Sequence, residues 1–148
     1  MKKYKLGYDW RGLILFLLIM LPNFIWFAVP APNDILRAES VTEAIDLIGS
    51  ICQVIMVAAL CVLVNKAQPK FKLTPLIIGV IICVAGYLAG WIFYYCGTAN
   101  AAVVLALTVP PCAAFLLFAI DRKNYIALIP AVGFTICHLI YGIANFIV

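Results

Sequence analysis

Apolar positions along this chain gather into five nearly unbroken runs, at 13–29, 44–64, 73–95, 101–120 and 125–148. Crossing a hydrocarbon layer of roughly 30 Å takes about 20 apolar residues as a helix. Barrel strands would alternate polar and apolar residues over about ten positions, and these runs do not alternate. In lipid every backbone N–H and C=O needs a partner within the chain, which leaves helices as the solution. The pattern therefore predicts an all-α fold, a polytopic bundle of five transmembrane helices forming a single transmembrane domain over residues 1–148.

The breaks between runs carry ordinary helix-stopping chemistry. Pro30, Pro32, Asn33 and Asp34 end the first helix, and Gln68 and Pro69 end the second. Cys96, Gly97 and Thr98 turn the chain after the third, and Asp121 to Asn124 separate the last two. Val29-Pro30-Ala31 loosely imitates a signal-peptide cleavage site, but Pro32 directly after it argues that the first helix is retained.

Composition supports the same picture: 67% of residues are hydrophobic and 11% charged, against about 25% charged in soluble domains. The net charge of +4 is explained by topology. Lys2, Lys3, Lys5 and Arg11 precede the first helix; Lys66, Lys70 and Lys72 lie between the second and third; Arg122 and Lys123 lie between the fourth and fifth. Nine of the ten basic residues thus share one side, which the positive-inside rule makes cytoplasmic. The N-terminus is expected in the cytoplasm and the C-terminus outside, in a multi-pass protein of the cell membrane. With the charge so explained and no basic-aromatic interleaving, no nucleic acid is expected as a partner. Trp10, Trp26, Trp91, Tyr94, Tyr95 and Tyr125 near the span ends read as an interfacial aromatic belt.

The candidate chemistry lies in polar residues inside the spans, which lipid tolerates poorly. Glu43, Asp46, Ser50 and Gln53 recur at spacings of three, four and three, so they form one stripe on the second helix. Ten residues at about 1.5 Å each bring that stripe from the outer surface to mid-membrane. Thr135, His138, Gly142 and Asn145 form a comparable stripe on the fifth helix. Asn23 beside Pro22, Tyr87, and Thr108 near the expected Pro110-Pro111 break fall at the same depth. We read Asn23, Gln53, Tyr87, Thr108 and His138 as ligand-binding residues of an outward-opening pocket, with Glu43, Asp46 and Asn145 at its mouth. An acidic mouth favours cationic or zwitterionic solutes. The plainer alternative is that these groups only hydrogen-bond neighbouring helices, at about 0.6 kcal/mol each.

Two other functional classes stay open: an accessory or assembly subunit of a larger membrane complex, and an intramembrane enzyme acting on a lipid or isoprenoid. The enzyme would use His138 with Asp46 or Glu43 as acid and base, but depth separates His138 from Glu43, and no catalytic motif supports it. No catalytic residue, metal site or cofactor is expected: the six cysteines stand singly in apolar surroundings. Gly86 and Gly90, with Ala85 and Ala89, make a small-residue face suited to close helix packing, within the chain or in a homo-oligomer. In length and span count the chain is similar to the TspO/translocator proteins. The Trp/Pro patterns of that family are not reproduced, so the likeness is one of topology alone and carries no function.

Overall fold

The computed structural model describes residues 3–68 and 70–148. Lys2, counted with the basic residues of one side, and Pro69, expected to end the second helix, lie outside the described residues. Among the described residues, five helices are long and apolar enough to cross a membrane: α1 (Trp10–Ala28), α2 (Glu43–Val62), α3 (Pro75–Tyr95), α4 (Ala101–Asp121) and α5 (Tyr125–Phe146). The protein is a multi-pass membrane protein of the all-α class.

Helix starts follow capping chemistry. Asp9, Thr74, Asn100 and Asn124 each accept a hydrogen bond from a backbone N–H in the first turn of α1, α3, α4 and α5. Pro75 opens α3, where its missing N–H costs nothing. Gly97, at φ +90°, supplies the left-handed residue that turns α3 into α4. Lys123 does the same between α4 and α5, and the Asn124 N–H then reaches back to Ala119 O at 2.8 Å.

One small element was not expected. Strand β1 (Tyr4–Leu6) pairs antiparallel with β2 (Leu63–Asn65), directly after α2. These strands, the α2–α3 connector and the α4–α5 connector occupy one end of the bundle, the hairpin end. The α1–α2 connector, with its short 3-10 helix Ile35–Arg37, the α3–α4 connector and the C-terminus occupy the other.

α2 packs on α5, α5 on α4 and α4 on α3, while α1 closes the circle against α2 and α3. The helices thus form a ring in the order α1, α2, α5, α4, α3. The α2–α5 seam is tight because small residues interlock: a Cβ at Gly49 would meet Cys137, and one at Gly133 would meet Cys52, each at 3.0 Å. Gly90 admits Ala106 and Leu107 of α4, whereas Gly86 faces open space. Intramolecular packing therefore accounts for only part of the small-residue face on α3.

The hairpin end is sealed by polar ties. Asp9 and Arg122, both buried, pair at 3.2 Å. Asn124 Nδ2 donates to Ala59 O and Leu63 O at 2.9 and 2.8 Å, Asn65 donates to Lys123 O at 2.7 Å, and Thr74 donates to Asp121. Each buried polar group finds a partner, as a water-poor site requires.

Candidate functional site

Inside the ring, in the half toward the α1–α2 connector, lies a cavity of about 390 Å³ to which all five helices contribute. Ring closure explains its position, because the hairpin end is filled by the ties just described and the opposite half is not. Its walls are aromatic: Trp26 and Phe27 from α1, Tyr87 and Trp91 from α3, Phe115 from α4, and Phe134, Tyr141 and Phe146 from α5. Pockets for drug-sized molecules run from roughly 300 to 1,000 Å³.

The five residues expected to bind a ligand all line this one cavity, but their polar atoms are not equally available. Tyr87 donates to Ile19 O at 3.0 Å and accepts from Asn23 Nδ2 at 2.7 Å, and Asn23 also donates to Ile19 O at 3.0 Å. That triangle fastens α1 to α3. Thr108 donates to Val104 O of its own helix at 2.7 Å. By contrast, the Gln53 amide has only a weak 3.9 Å approach to the Met20 sulfur. The His138 imidazole lies between Phe134 and Tyr141, with ring centroids at 5.0 and 6.1 Å. It makes no hydrogen bond among the described residues.

The mouth differs from the expected set. Asp46 lines the cavity, accepting from the Ser40 and Thr42 hydroxyls, and forms no ion pair among the described residues. Glu43 is exposed on the first turn of α2 and does not line the cavity. Asn145 does not line it either. Its amide is spent on Val41 N at 2.7 Å, Thr42 Oγ1 at 2.7 Å and Tyr141 O at 2.9 Å, which pins the end of the α1–α2 connector to α5.

Trp91 departs most from the sequence reading. Placed near a span end it suggested a membrane-surface anchor, yet it is 5% exposed and lines the cavity. Its Nε1 makes no well-formed hydrogen bond among the described residues, approaching only the Tyr87 hydroxyl. Tyr94 is likewise wholly buried, whereas Trp10 and Tyr125 keep the exposure expected of a belt. Nothing in the spacing distinguishes the two kinds of aromatic.

Leu36 of the α1–α2 connector completes the lining. The connector is held by Asp34, which accepts from Trp26 Nε1 at 2.8 Å, Tyr94 OH at 2.8 Å, Arg37 Nε at 2.8 Å and Ala31 N at 3.2 Å. Burial acts to raise the Asp34 pKa, but the donors Trp26, Tyr94, Arg37 and Ala31 outweigh it and hold the carboxyl below its ordinary 3.8. The Tyr94 hydroxyl also accepts from Leu36 N at 3.1 Å.

α4 runs without interruption through Pro110 and Pro111, where a break was expected. The prolines still remove two N–H donors, so the carbonyls of Ala106 and Leu107 lose their usual helical partners. No group of three or more metal-binding side chains occurs among the described residues. Compared with known protein families, curated proteins and solved structures, the chain matches none of them.

Proposed function

We propose that this membrane protein binds a small organic ligand, cationic or zwitterionic, in the cavity enclosed by its five helices. The supporting observation is the convergence on one aromatic-walled space of three groups without adequate protein partners: the Gln53 amide, the His138 imidazole and the Trp91 indole N–H. Buried polar groups left unpaired are costly, and a ligand that pairs them recovers that cost. Asp46, a carboxylate with no basic partner among the described residues, sets the preference for positive charge, and the aromatic walls suit an ammonium group through cation-π attraction. By the Lys and Arg distribution the cavity opens to the outer side. Binding is the part of the function that the geometry supports; transport would require the ties at the hairpin end to break.

The test is saturable binding of benzyltrimethylammonium to the detergent-solubilised protein, followed by the fluorescence of the cavity tryptophans Trp26 and Trp91. Binding should exceed that of benzenesulfonate, and Asp46→Asn should weaken it by at least about fivefold, the effect of roughly 1 kcal/mol of lost charge attraction. Equal binding of the anion, or no saturable binding of the cation, would remove the basis for this reading.

A further inference from the structure

A second concave site lies on the outside of the ring, between α1 and α3 in the half toward the hairpin end. It lies away from the Asn23–Tyr87–Ile19 triangle that joins the two helices further along. The resulting groove has a volume of about 480 Å³ and apolar walls, among them Leu15, Leu18, Val80, Val84 and Leu88, with Phe118 of α4 as part of the lining. Its one charged lining residue is Arg11, at the hairpin end.

The setting of Arg11 is unusual for a surface cation. Its guanidinium lies over the rings of Trp10 and Phe71, at 5.1 and 4.9 Å from their centroids. Its nearest acid is Asp9 at 3.8 Å, whose other oxygen is engaged by Arg122 at 3.2 Å. No side-chain hydrogen bond from Arg11 is formed among the described residues. The side chain is 29% exposed, so the guanidinium is held in place with its donors still available. Phe71 is flanked by Lys70 and Lys72, both exposed, so the local charge is positive.

The groove also has a definite length. From Trp10 to Leu18 on α1 and from Ile77 to Leu88 on α3, it spans roughly 12 to 16 Å at about 1.5 Å per residue, close to one leaflet of a hydrocarbon layer of about 30 Å. A slot one leaflet deep, apolar along its length and cationic at its membrane-surface end, matches an acyl chain below an acidic headgroup. We infer that this groove is a binding site for one anionic phospholipid, whose chain lies between α1 and α3 and whose phosphate is received by Arg11. Arg11 is suited to this role because its planar fork can donate two parallel hydrogen bonds to a phosphate, and aromatic stacking holds that fork in place.

This inference is independent of the central cavity and is tested separately. Purified protein in a neutral detergent is titrated with dioleoylphosphatidylglycerol or dioleoylphosphatidylcholine, and bound lipid is counted by native mass spectrometry. The expected result is one tightly held phosphatidylglycerol and markedly weaker phosphatidylcholine. Arg11→Gln should reduce the preference for phosphatidylglycerol by at least about fivefold. Ala85→Trp, which fills the groove from α3, should abolish retention of either lipid, while Ile82→Trp, on an exposed part of α3 outside the groove, should leave it intact. Circular dichroism confirms that each variant is folded, and Arg11→Gln decides the matter if Ala85→Trp does not fold. Equal retention of the two lipids by the wild type, or an unchanged preference in Arg11→Gln, would overturn the assignment.

Discussion

At Gly142 an added methyl group would stand 2.8 Å from Thr108 Oγ1 and 3.0 Å from its Cγ2. Thr108 cannot easily withdraw, because its hydroxyl is bonded to Val104 O. Gly142→Ala should therefore destabilise the protein by about 1–3 kcal/mol, the usual effect of overpacking. Thr108→Ala in the same chain should recover most of that loss, which a double-mutant cycle of thermal unfolding would measure. Asp34 offers a second prediction, with the sign set by its lowered pKa. A carboxyl depressed in the folded state contributes stability that is complete above its unfolded pKa and is lost as pH falls through the folded one. The wild type should thus lose stability below about pH 4 through this group. Asp34→Asn should be less stable at pH 7 and should lack that acid-dependent component, as melting temperatures between pH 7 and pH 3 would report.

Among the elements, the helices were readable because each apolar run exceeds the length a span needs and ends at proline, glycine or charge. The strands were not. Tyr4–Leu6 and Leu63–Asn65 are three residues each and show no alternation long enough to notice. Their pairing joins segments nearly sixty positions apart, which local pattern does not encode. The Pro110–Pro111 pair also misled, since a proline within a bundle loses hydrogen bonds without ending the helix when neighbours hold it on both sides. α4 is that case, with 56% of its most apolar stretch buried against 22–28% for the other helices. The tie between α1 and α4 at the hairpin end carries a prediction of its own. Arg122→Leu leaves Asp9 as a buried carboxylate with Arg11, at 3.8 Å, as its one remaining cationic partner among the described residues. The expected loss is about 3–5 kcal/mol, readable in thermal or chemical unfolding.

For the whole molecule, helical projection could say which residues share a face and a depth, but not which helices are neighbours. That limit explains what was legible in the site. Gln53 and His138 stood out because polar side chains in apolar runs are conspicuous, and both line the cavity. Glu43 lay on the same stripe as Gln53 but is exposed on the first turn of α2, and Asn145 sits beside the lining residue Phe146 without lining the cavity itself. Asn145 is instead taken up by the connector. Trp91 was passed over because an indole near a span end has two uses, and only the closed order α1, α2, α5, α4, α3 places it inside. The same closure separates a sealed hairpin end from a hollow opposite half, and the proposed binding function rests on that asymmetry.

Unlike Asn23 and Tyr87, which fasten α1 to α3, Gln53 and His138 serve something other than holding the helices together. Thermal unfolding in detergent of Gln53→Leu, His138→Phe and the double variant, against wild type, tests this most directly. Neither side chain has a strong hydrogen-bond partner among the described residues, so stability should be unchanged or raised in all three, since residues kept for function are often not optimal for folding. A loss of about 1 kcal/mol or more per substitution, roughly 2–4 °C for a chain of this size, would mean that Gln53 and His138 join the helices and are not held for a ligand.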